Sequence, residues 1–102
     1  MKLRFDKKTI GNPIVFIRRC GYGEYYDRRL RKTSFMKRAR MSDMFPRFHV
    51  HFEEKNDYID INLHLDQKRQ SYFGSRAHSG DYDGPAVEKE AQRIKDRAEK
   101  ME

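Results

Sequence analysis

The chain has 102 residues, of which 36% are hydrophobic and 38% charged, and it carries a formal net charge of +7. That length and composition hold one domain with a small core leaning on its seven Phe and six Tyr, and such a core invites completion by a partner. No run approaches the roughly 18 apolar residues of a membrane span, and a single cysteine, Cys20, excludes an internal disulfide and a Cys-based zinc knuckle.

The N-terminal segment Met1–Asp6 has no hydrophobic leader run, so the expected location is cytoplasmic. Residues 1–40 hold 13 Lys/Arg against 3 Asp/Glu, whereas residues 41–102 hold 10 against 13. The positive charge is therefore concentrated in the first two fifths of the chain, which points to a polyanionic partner, set against a solvated basic face with no ligand.

Asn12-Pro13-Ile-Val-Phe-Ile-Arg-Arg-Cys20-Gly21 carries helix punctuation. Asn12 suits the N-cap, Pro13 the first turn and Gly21 the C-terminal cap, with Arg18 and Arg19 favoured by the helix dipole. Phe16, Ile17 and Cys20 share one face with Pro13. The rival reading is a short strand over Ile14–Ile17, where β-branched residues dominate. Residues 22–40 read as a basic hairpin with strands over Glu24–Asp27 and Thr33–Lys37, a helix across Tyr25–Arg40 being the competitor. Arg28, Arg29, Arg31, Lys32, Lys37, Arg38 and Arg40 lie here, interleaved with Tyr25, Tyr26 and Phe35. Cations that hold phosphates beside rings that stack on unpaired bases suit single-stranded RNA or DNA. The sheet motifs of the common RNA-recognition fold and the Gly-x-x-Gly clamp are absent.

Residues 41–46 read as a linker, and Pro46 pushes Phe45 into an extended conformation that opens the next strand. Strict alternation then marks Phe48-His-Val-His-Phe52 and Tyr58-Ile-Asp-Ile-Asn-Leu-His-Leu-Asp66 as a strand pair. Centring the turn on Asn56-Asp57, or on a four-residue turn of the same register, pairs His49 with His64, Val50 with Leu63, His51 with Asn62 and Phe52 with Ile61. Phe48, Val50, Phe52, Ile59, Ile61, Leu63 and Leu65 fall on one side, and a slip of one residue would bury every histidine. His49, His51, Asp60, Asn62, His64 and Asp66 fall on the other.

His49, His51, His64 and Asp66 thus form a candidate site for a divalent metal such as Zn, Mn or Fe, in a binding protein or metal-dependent hydrolase. Metal-free acid–base work and the bland polar side of a sheet are the competing readings. Residues 67–84 form a long loop from which His78 or Asp81 would complete the metal shell, set against a loop that only caps the last helix with Asp83. Pro85 opens a helix to residue 100 with a narrow stripe of Val87, Ala91, Ile94 and Ala98, suited to the sheet or to a protein partner's helix.

The blocks Pro46-Arg-Phe-His49, Leu63-His-Leu-Asp-Gln-Lys68 and His78-Ser-Gly-Asp-Tyr-Asp-Gly84 resemble those of small uncharacterised bacterial proteins. The resemblance covers roughly the second half of the chain. It implies a prokaryotic, intracellular origin and brings no activity or site with it.

The sum is one α+β domain over residues 1–102: an antiparallel sheet of about four strands, a short helix near the N-terminus and an amphipathic helix at the C-terminus. Nucleic-acid binding by the basic half is the leading functional expectation, with the metal site second and a small protein-interaction module third.

Overall fold

The computed structural model describes residues 1–28, 31–40, 46–66, 80–81 and 84–100. The chain begins with a strand, β1 (Lys2–Asp6), then a single helical turn, α1 (Lys7–Ile10), and a helix, α2 (Pro13–Arg19). Four strands follow, each antiparallel to the next: β2 (Gly23–Asp27), β3 (Lys32–Arg38), β4 (Arg47–Glu54) and β5 (Tyr58–Asp66). A two-residue strand, β6 (Gly80–Asp81), and the helix α3 (Pro85–Glu99) complete it. The architecture is α+β, with strand order β1-β5-β4-β3-β2 and β6 continuing along the free edge of β5.

Two strands were not anticipated. β1 pairs antiparallel with β5, Leu3 opposite Ile61 and Phe5 opposite Ile59. Its alternation of Leu3 and Phe5 with Lys2, Arg4 and Asp6 is short but regular, and it feeds two more side chains into the core. Because β1 lies at one edge and β2 at the other, the chain must cross the sheet between them. α1 and α2 make that crossing on the apolar side.

The punctuation of α2 works as its residues dictate. Asn12 accepts from the amides of Ile14 and Val15, Pro13 fills the first turn, and Gly21 takes φ 100° just past the end. Phe16, Ile17 and Cys20 are buried, and the Phe16 ring meets Phe5 at 5.6 Å. The basic hairpin forms as strands, not as a helix. Its tip bends at Arg31, whose φ of 52° is the left-handed region unusual for a side-chain-bearing residue.

The central hairpin has the register that alternation requires: His49 opposite His64, Val50 opposite Leu63, His51 opposite Asn62 and Phe52 opposite Ile61. Phe48, Val50, Ile59, Ile61, Leu63 and Leu65 are buried on one side with Val87, Ala91, Ile94 and Ala98 of α3, and Phe52 is partly buried against them. The apolar stripe of α3 is therefore spent on the sheet. α3 also carries a polar anchor. Glu90, 6% exposed, accepts from Tyr22 Oη at 2.5 Å and from Arg93, which also donates to the Cys20 carbonyl. This ties the last helix to the end of α2. Among the described residues the helices cover one side of the sheet, and the other side carries its polar side chains.

Candidate metal centre

On the open side, three side chains from two adjacent strands converge. His49 Nδ1 lies 3.2 Å from Asp66 Oδ2, and His64 Nε2 lies 3.2 Å from Asp66 Oδ1. The two imidazole rings, on residues directly opposed in the ladder, have centroids 4.9 Å apart. One donor atom from each of His49, His64 and Asp66 lies within 4.8 Å of the other two. Donors bound at about 2.0–2.1 Å around a tetrahedral zinc stand roughly 3.3 Å apart, and each histidine already has that distance to one Asp66 oxygen, His49 to Oδ2 and His64 to Oδ1.

The electrostatics explain how a carboxylate sits here. Burial works against the charge of Asp66, but the hydrogen bonds from His49 and His64 outweigh it and hold the carboxyl well below the usual carboxylate range. Arg47 Nε lies 3.7 Å from Asp66 Oδ2. An ionised carboxylate only accepts hydrogen bonds, so the ring nitrogens that meet it carry their protons. A metal would take the place of those two protons.

A residue the sequence did not single out orients His49. Ser34, on β3 and 9% exposed, places Oγ 2.6 Å from His49 Nε2. Tyr25, opposite Ser34 on β2, sets its ring edge-on to His49 at 5.9 Å. Were Nδ1 to hold a metal, the His49 Nε2–H would donate to Ser34 Oγ, the outer hydrogen bond that fixes tautomer and ring plane in metal-bound histidines. The only sequence signal for Ser34 was its place on the polar side of β3.

The same contacts, with the opposite tautomer, are those of a nucleophilic Ser–His–Asp relay. Among the described residues that reading lacks an oxyanion site. Ser34 lies on an interior strand whose amides point along the sheet plane into its ladders, while Oγ projects out of that plane.

His51 does not join the centre. It stands on the rung of Asn62, and Asp66 stands on the rung of Arg47, with the His49–His64 rung between them. Four residues at about 3.3 Å each separate His51 from that far rung by roughly 13 Å, too far for both to reach one ion. His51 is exposed, and its pKa is held below the ordinary histidine value by partial desolvation first and then by the charges of His64 and His49. His78 lies outside the described residues. The backbone of Gly80–Asp81 runs beside Leu65–Asp66, so the chain returns to the sheet at the edge of the centre. Asp60, on the same side, also departs from expectation. It is only 1% exposed, because Arg4 of β1 donates to both its carboxylate oxygens at 3.0 and 3.3 Å while stacking 3.9 Å over Tyr58.

The basic hairpin does not present one surface. Arg28, Arg31, Lys32, Arg38 and Arg40 are exposed. Lys37 turns to the helix side, where its stem lies against Gly21. Tyr25 is half-buried beside His49, and Tyr26 is 56% exposed. Phe35 belongs to the core at 3% exposure, because it falls opposite Val50 on the apolar side, and so it leaves the set of stacking rings. Arg29 lies outside the described residues. Comparison of the chain with protein-family models, with curated proteins and with solved structures finds no match.

Proposed function

We propose that this protein binds a divalent transition metal on the open side of its sheet, through His49, His64 and Asp66, with zinc the first choice and manganese or iron the others. The convergence of three donors from two adjacent strands, one of them oriented by Ser34, is the observation that carries this reading. Three protein ligands leave a coordination position for water, and a bound zinc brings that water's pKa down to about 7. Metal-dependent hydrolysis is the activity class such a centre supports.

The test is thermal. Zinc should raise the melting temperature of chelator-treated protein, and EDTA should reverse the rise. An unchanged melting temperature across zinc and manganese would reduce the patch to a polar sheet face.

The exposed Tyr26, set in a hairpin with Arg28, Arg31 and Lys32, favours a second reading: single-stranded RNA or DNA held at the tip of β2–β3. Affinity for single-stranded RNA should then fall steeply with salt, and replacing those three cations with Ser should flatten the slope. Binding absent at low salt would end that reading.

A further inference from the structure

Beside the metal ligands the open side of the sheet holds a feature the centre does not use. Arg38 and Arg47 are direct cross-strand partners, and both line a surface cavity of about 180 Å³ with Gly23, Glu24 and Met36. Like charges directly opposed across an antiparallel pair repel one another, a cost that an anion held between them would remove. Arg47 is linked to the centre through Asp66, with Nε 3.7 Å from Oδ2. Arg38 makes no ion pair with any described residue. Glu24 falls opposite Phe35, so its side chain turns to the helix side, where its carboxylate is 3.5 Å from Arg18. Met36 is the cross-strand partner of His49, so the cavity adjoins the ligand cluster.

We propose that this cavity binds a phosphoryl group, held between Arg38 and Arg47 next to the metal. As the substrate class of that same site, it rests on the metal reading. Two guanidinium forks rising from different strands approach a guest from two directions. A carboxylate, with one planar edge, is satisfied by a single fork, whereas a tetrahedral oxyanion has oxygens for both. The site is also coupled to the metal. When a cation takes up the charge of Asp66, Arg47 loses part of its neutralisation and the cavity becomes more positive. Metal and phosphoryl group therefore tighten each other's binding, and by equal factors.

Titration of the full chain with inorganic phosphate and with 5′-AMP, followed by ³¹P NMR at constant ionic strength set with chloride, tests this. Each titration is run on chelator-treated protein and on protein with one equivalent of zinc. The expected result is saturable binding that is tighter with zinc, and that weakens about tenfold or more in Arg38→Gln. The zinc-induced rise in melting temperature should persist in that variant. Tighter binding of 5′-AMP than of phosphate identifies an ester as the source of the group, and equal binding identifies free phosphate. Zinc binding with no saturable binding of either probe overturns the phosphoryl proposal and leaves the metal reading standing, as does an Arg38→Gln protein that binds like the wild type. Phosphate binding lost in Arg38→Gln, in a protein that takes up no zinc, upholds the cavity and overturns the metal reading.

Discussion

At the residue scale the account turns on which side chains touch the donor cluster and which merely share its strands. His49→Ala and His64→Ala should each abolish the zinc-dependent rise in melting temperature, because each removes one of three ligands. His51→Ala should leave that rise intact, since its rung is the wrong one for Asp66. Ser34→Ala should weaken zinc by roughly 10–100-fold, the usual cost of removing an outer partner of a ligating histidine. A zinc titration against a competing chelator measures all four. Asp60 offers a separate test by pH. The hydrogen bond from Arg4 holds its folded carboxyl below the usual range, against the cost of burial. A group depressed in the folded state contributes stability above its unfolded pKa, about 3.9, and loses it as pH falls through the folded value. Asp60→Asn should therefore flatten the fall in stability below about pH 4, read from urea melts at pH 3 and pH 6. A wild-type slope in the variant would remove Asp60 from the acid response.

At the scale of elements the β4–β5 ladder does the positioning. Its apolar side presses Val50, Ile61 and Leu63 under α3, and that burial locks the register that sets His49 opposite His64. Leu63→Ala should cost about 2–5 kcal/mol by chemical denaturation. A cost near zero would mean that Leu63 is not in the core. The link between α2 and α3 is polar, so Tyr22→Phe should cost less, about 1–3 kcal/mol, by leaving the buried Glu90 short of one donor. These elements also show what was legible in the residues alone. Alternation is a local signal, and it was enough for the central strand pair, its register and the facing pair of histidines; caps and a helical stripe pointed to the two longer helices, with a strand over Ile14–Ile17 as the rival of the first. Such signals were silent where the outcome depended on elements distant in the chain. Met1–Asp6 reads as a strand only once β5 needs an edge partner, and that pairing is what buries Asp60 under Arg4. Glu90 reads as a solvated helix charge until Tyr22, 68 positions earlier, meets it. The exclusion of His51, by contrast, was contained in the register. Counting rungs between His51 and Asp66 shows that the four ligands first grouped together cannot share one ion.

For the molecule as a whole, the division between the two sides of the sheet is the organising fact. One side is closed by α1, α2 and α3, and the chain's apolar content is largely consumed there. The other side gathers His49, His64, Asp66, Ser34, Tyr25, Arg38 and Arg47 from four neighbouring strands, so any chemistry rests on a rigid, hydrogen-bonded floor. The excess of positive charge in residues 1–40 is split by the same geometry, with Arg38 beside the donor cluster and Lys37 on the helix side. Among the described residues no helix is long and apolar enough to cross a membrane.

Elemental analysis after dialysis against zinc and then against metal-free buffer, on untagged wild-type protein and on His64→Ala, is the most direct trial of the central claim. The wild type should hold close to one zinc per chain, and the variant should lose it. Zinc far below one per chain in the wild type, or equal amounts in both proteins, would contradict that claim.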